Sequence, residues 1–286
     1  MRTFSYITFF LSIEIGMAQH TSAKCALLAS TEALSWSIAG NINGKNPNIF
    51  SELKWTAIMG SGIGLSMDQS VYKRLKLSVD LNLSAYLSGH VTDTDYQEDN
   101  RQNQTFNAHE KANRGGVGLI RSNLELLVID GEKLDFSIGT GFFWTHKRFT
   151  LINVENGLNS TYDAIWFGPN ARTTVIARFG GFFFRCQTDY SQVDYLATAN
   201  WNLIDEFEHP VSFRHEAKGF QLFSEVSGGF ELTSGLDLVM GFRHSYFSTG
   251  RGIDTLYKTN GTRPRTRLND VTNELFGLSM GVEYAF

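Results

Sequence analysis

Cysteine is nearly missing from this 286-residue chain: Cys25 and Cys186 are the only two. Two cysteines, one of them close to the N-terminus, make no disulfide framework. Proline is scarce as well, four against 27 glycines, and no Pro/Ser linker or charge run divides the chain, which implies one large domain. Beyond the N-terminus no apolar run is long enough for a membrane helix. A Gly-rich phosphate loop, a Cys-x-x-Cys and a His-x-x-x-His are all lacking, so no nucleotide, metal or other cofactor is expected. A net charge of −4 gives no basic surface for nucleic acid. What the chain does have is aromatic residues, 13% in all with 23 Phe, a composition suited to strands.

Alternation is the dominant pattern. Leu75, Leu77, Val79, Leu81, Leu83, Ala85 and Leu87 fall on one face, and Lys76, Ser78, Asp80, Asn82, Ser84, Tyr86 and Ser88 on the other. Near the C-terminus Phe276, Leu278, Met280, Val282, Tyr284 and Phe286 oppose Gly277, Ser279, Gly281 and Glu283. A period of two marks strands, and an unbroken apolar face opposite a small or polar one suits a wall between lipid and a lumen. Leu53, Trp55, Ala57 and Met59 read as one strand continuing in the same parity through Ile63, Leu65 and Met67. Short turns at Asp130-Gly131-Glu132, Gly180-Gly181 and Thr233-Ser234-Gly235 alternate with long polar stretches, Asp93 to Asn113, Asp194 to Phe213 and Thr249 to Leu268.

The expected fold is therefore all-β: a transmembrane antiparallel β-barrel of about ten long strands, with short turns periplasmic and long loops outside, in the bacterial outer membrane. Residues 1–29 read as a secretory signal, with Arg2, an apolar core from Phe4 to Ile15 and cleavage after Ala18 or Ala29; the barrel is expected over residues 30–286. The polar face carries Asp80, Arg121, Glu125, Asp135, Arg172, Arg178, Arg185, Asp189, Glu225, Glu231, Asp237, Arg243 and Glu283. Charges of both signs in so narrow a lumen are expected to pair.

Three local stretches go beyond a generic barrel. Ser30-Thr31-Glu32-Ala33-Leu34-Ser35-Trp36, Ser51-Glu52-Leu53-Lys54-Trp55 and Asp93-Thr94-Asp95-Tyr96 occur in that order, and the series resembles the omptins, ten-stranded outer-membrane endopeptidases of Gram-negative bacteria. The resemblance implies peptide cleavage by a water held between two acidic side chains on one wall and an Asp–His pair on the other. It carries Asp93 and Asp95 over as the first wall. For the second it points to Asp205-Glu206-Phe207-Glu208-His209, with His209 as base and Asp205 and Glu208 beside the substrate. Phe207 stands where the family has its catalytic Asp. His215, nearby, has no Asp two residues before it. The resemblance also implies outer-membrane lipid and lipopolysaccharide as partners, the latter as a lipid activator, through the basic stretch with Arg251, Lys258, Arg263, Arg265 and Arg267. Three readings stay open: an endopeptidase, a small-solute pore, and a surface-binding or structural barrel.

Overall fold

A computed structural model describes residues 21–286. The leader expected before Ala18 lies outside the described residues. Twelve strands occur among the described residues: β1 (Thr21–Ile38), β2 (Ser51–Tyr72), β3 (Leu75–Glu98), β4 (Gln102–Lys111), β5 (Gly116–Ile129), β6 (Leu134–Asn153), β7 (Leu158–Phe179), β8 (Phe182–Asn200), β9 (Phe213–Thr233), β10 (Leu236–Thr249), β11 (Gly252–Leu256) and β12 (Arg265–Ala285). Every pairing is antiparallel, and β1 joins β12 from Ser22↔Ala285 to Ile38↔Leu268, so the sheet closes. Thr21 to Ala29 are part of that seam, and a boundary at Ser30 cuts through β1.

The ring contains ten long strands, β1-β2-β3-β5-β6-β7-β8-β9-β10-β12. The two short ones continue it upward. β4 pairs with β3 above β5, and β11 bridges β9 and β12 above β10. Of the three long polar stretches the first is thus largely strand, and the other two are strand in part. β3 runs on to Glu98 and turns at Asp99–Arg101 into β4, β8 reaches Asn200, and β11 lies inside the third stretch. Above the bilayer the outward face meets water, so a strand there loses the apolar outer row that marks it lower down.

The faces at membrane depth follow the alternation. Leu81, Leu83, Leu87, Leu278 and Met280 are exposed on the outside, whereas Ser78 and Tyr86 are buried within. Higher up on β2 and β3 the faces exchange. In β2 Met59, Ile63, Leu65 and Met67 are outside, yet Leu53 and Trp55, of the same parity, are buried inside. The uninterrupted parity expected for this strand is therefore incorrect. A bulge lies between them: Thr56 pairs with His90 and Met59 with Ser88, with Ala57 at φ 50°. An extra residue turns every later side chain to the other face. On β3 the matching irregularity centres on Gly89, at φ 154°, where a Cβ would meet Ile58 Cδ1 at 2.3 Å. Glycine alone fits this position.

Two different interiors result. At membrane depth the lumen is ionic: Arg172 donates to Asp189 (2.8 Å) and Asp80 (3.1 Å), Arg121 lies 3.1 Å from Asp189, and Arg185 donates to Glu283 (2.9 Å). Cavities in the middle of it measure about 70 and 50 Å³, and one of about 330 Å³ opens toward the end opposite the mouth. Above, the interior is aromatic, with Trp166 against Tyr195 (ring centroids 4.2 Å apart) and Trp55 stacked on Tyr162 (5.3 Å). Glu32 sits at the junction, accepting from Lys147, Asn273 and the Tyr86 hydroxyl.

Leu81→Arg places a charge against lipid midway along the apolar row of β3 and is expected to cost roughly 2–4 kcal/mol, whereas Asn82→Ser, on the inward face, costs little. Urea titration of refolded protein in lipid vesicles measures both; equal losses would reverse the assignment of faces.

Candidate functional site

The exchange of faces decides where the acidic pair points. Asp93 and Asp95 share the odd parity of the lipid-facing leucines of β3, and an unbroken strand would hold them outside the barrel. Beyond Gly89 the odd residues turn inward: Val91 is buried, and Asp93 and Asp95 line a cavity of about 540 Å³ at the outer mouth. The rest of its lining is mostly apolar, including Trp36, Leu53, Phe106, Trp201, Phe207 and Phe213. Burial, and then the neighbouring Asp95 carboxylate, push the Asp93 carboxyl up to about 7. Burial also raises Asp95, against a hydrogen bond from Ser51.

His215 and Asp254 line the same cavity. They are cross-strand partners where β11 joins β9, and His215 Nε2 lies 3.3 Å from Asp254 Oδ1. That contact is electrostatic; its alignment does not make a hydrogen bond. The other ring nitrogen, Nδ1, is 2.9 Å from the Tyr162 hydroxyl, which also bonds Tyr195. Burial keeps Tyr162 well above the usual phenol range, so it remains a neutral partner. Thr266 donates to Asp254 Oδ2 (2.9 Å). The imidazole is therefore fixed from one side by Tyr162, packed edge-on against Trp36 (4.8 Å), and left with Nε2 beside a carboxylate. β3 is third and β9 eighth in the ring of ten, five places apart, so the acidic pair and the His–Asp pair stand on opposite walls.

The His209 expectation does not match this geometry. His209 is exposed on the β8–β9 loop, where Nδ1 meets Asn200 Oδ1 at 2.7 Å, and it does not line the cavity. Asp205 is exposed beside it, and Glu208 is held by Arg263 (2.7 Å), directed away from the cavity lining. The partner of His209 is thus an amide oxygen rather than a carboxylate. His215 carries its signal in the sequence: it shares the parity of Gln221 and Glu225, inward residues of the same strand. Asp254 carries none, because its strand is five residues long inside a polar stretch.

Comparison with known proteins agrees with this architecture. A family model described as Pom, Protochlamydia outer membrane protein, matches residues 146–286. The outer membrane protease OmpT from Escherichia coli is similar in structure, with a TM-score of 0.74 at 14% identity, over 93% of this chain and 97% of that one. Looser likenesses are the outer membrane protein OprG from Pseudomonas aeruginosa (TM-score 0.42, 10% identity, 94% and 96% covered) and the toluene transporter TodX from Pseudomonas putida (0.33, 9%, 93% and 89%). No curated protein sequence matches. The chain is an outer-membrane β-barrel, and the likeness to OmpT is one of fold.

The raised Asp93 pKa has a stability consequence. Unfolded Asp ionises near 3.8 and the folded one at about 7, so the folded state holds the proton more tightly and stability falls as pH rises between those values. Asp93→Asn is expected to unfold a few degrees higher than the parent at pH 8 and at the same temperature at pH 3. Thermal unfolding in micelles reads this, and an unchanged difference across that range would refute the shift.

Proposed function

We propose that this barrel is a surface endopeptidase whose water-activating site lies at its outer mouth. One observation carries the reading: Asp93 and Asp95 on β3, and His215 with Asp254 on β9 and β11, line a single cavity from opposite walls. In this mechanism His215 Nε2 takes a proton from a water, whose oxygen adds to the peptide carbonyl carbon. Asp254 stabilises the imidazolium that forms, and Tyr162 holds the ring. Asp93, near half-protonated at neutral pH, donates to the oxyanion. Collapse of the adduct breaks the C–N bond, and the imidazolium returns its proton to the leaving nitrogen. The likeness to OmpT and the resemblance of the Asp93-Thr94-Asp95 stretch to omptins support the same class of reaction.

A second reading, a binding barrel without catalysis, is favoured by the enclosure of His215, which is 0% exposed among Trp36, Tyr162 and Phe213. A base so covered must be uncovered before water reaches it. The pore reading is disfavoured by the ion-paired filling of the mid-lumen, where cavities of only about 70 and 50 Å³ separate the mouth from a cavity of about 330 Å³ at the opposite end.

Refolded protein with added lipopolysaccharide, assayed on a mixed peptide library, tests these readings. Cleavage is expected, with kcat reduced roughly 10²-fold or more by His215→Ala or Asp93→Asn and unaffected by His209→Ala. Failure of every peptide to be cut would favour the binding barrel, and a conductance step in a planar bilayer would favour the pore.

A further inference from the structure

We propose that the mouth cavity is a recognition pocket for a bulky apolar side chain, aromatic or branched aliphatic, of an extended peptide, and that it rejects acidic ones. The assignment rests on the peptide-substrate part of the reading above and adds what that substrate must carry.

The lining is the first argument. Phe50 and Phe106 stand on one side, and Leu203, Ile204 and Phe207 on the β8–β9 loop stand on another. Phe106 is 47% exposed and Leu203 50%, large apolar surfaces held in water at an energetic cost that a covering ligand removes. A cavity of about 540 Å³ is in the range that encloses a substrate group rather than a solvent molecule.

The loop that supplies this wall is fixed. Glu208 N donates to Tyr257 O (2.8 Å), Thr259 N to Glu206 O (3.0 Å), and Arg263 clamps the Glu208 carboxylate. A preformed wall spends little binding energy on ordering itself.

Charge supplies the exclusion. The ionisable side chains in the lining are Asp93, Asp95, Glu110, Asp254 and His215; no Lys or Arg is among them. An acidic side chain would be desolvated among carboxylates with no cation to pair with. Nor does the first outer loop offer a carboxylate for a basic side chain. It runs from Asn43 to Asn48, and the Arg267 guanidinium sits on its carbonyls at Asn43 (3.3 Å) and Gly44 (3.3 Å).

A hydrogen-bond donor completes the fit to peptide. Trp36 Nε1 belongs to a cavity-lining residue only 4% exposed, and it makes no hydrogen bond within the protein. A buried donor without a partner is costly, and a backbone carbonyl of a bound peptide would satisfy it.

The test separates recognition from chemistry. Short N-acetylated, C-amidated peptides that differ only at a central Phe, Leu, Ala or Glu are titrated into the refolded barrel, and binding is followed by tryptophan fluorescence, since Trp36 and Trp201 both line the pocket. Phe and Leu peptides are expected to bind about tenfold or more tightly than Ala peptides, with Glu weakest. Phe106→Ser and Leu203→Ser, both at exposed positions, should each weaken the Phe peptide several-fold while leaving barrel folding, read by heat-modifiable gel mobility, unchanged. Ala or Glu peptides binding as tightly as Phe, affinity for the Phe peptide in both variants unchanged from the parent, or no binding by any peptide would each overturn the assignment. Binding in the expected order without cleavage would leave the pocket standing and remove the endopeptidase reading instead.

Discussion

A wall in lipid must satisfy every backbone donor and acceptor within itself, and that requirement governs this molecule. It closes β1 on β12 and leaves the sheet no edge at membrane depth. Closure with leucines outward sends the alternate residues into a lumen too narrow for water to screen them. Charges there are tolerated only when paired, which is why Arg172 engages Asp189 and Asp80 at once and Arg185 engages Glu283. Once the strands leave the bilayer the constraint reverses. Water lies outside, and the interior becomes the place for Trp55, Tyr162 and Trp166. On β7 and β9 the same parity stays inward through both regimes and only the chemistry of the inward row changes, whereas on β2 and β3 the bulge at Ala57 with Gly89 beside it exchanges the faces. The acidic pair points into the cavity because of that exchange.

The same reversal explains what could be read from the residues. Leu75 to Leu87 and Phe276 to Phe286 lie largely in the lipid regime, where outward residues are uniformly apolar, and their alternation revealed both the strands and the fold. Above the bilayer the outward row is polar and the inward row mixes aromatics with carboxylates, so β4, β11 and the upper end of β3 resembled loop. Asp93 and Asp95 were reached through a motif resemblance; strict parity would have put them outside. His215 has no Asp two residues before it, so the motif does not select it, although its parity with Gln221 and Glu225 places it inward. Its partner, Asp254, depends on a cross-strand pairing that no local pattern announces.

The two interiors also treat carboxylates differently. In the lumen the acids meet guanidinium or ammonium groups, and Glu125 in addition takes hydroxyls from Ser78 and Ser137. At the mouth Asp93 is half-buried next to another carboxylate with no cation in the lining, and its pKa rises to about 7. A paired acid contributes to the fold, while an unpaired buried acid is tolerated at the expense of stability. Perturbed acids of that kind concentrate at functional sites, although structural clusters produce them too. Here the location of Asp93, in an apolar cavity of about 540 Å³ at the outer mouth and opposite a histidine, distinguishes it from the lumen acids.

The stretch with Phe207 and His209 shows how much the mounting of a side chain decides what it can do. Asp205 to His209 lies on a loop, where a side chain is steadied only by what the loop happens to meet: Asn200 for His209, Arg263 for Glu208. The strand below offers a firmer mount. His215 is fixed by the β9 backbone, by Tyr162 at Nδ1 and by three aromatic rings, and Asp254 by its register on β11 and by Thr266. Groups held on strands keep their geometry better than groups held on loops. On the loop, the Phe207 ring forms wall of the cavity that Asp93 and Asp95 also line, where a carboxylate in its place would have to be desolvated near two others.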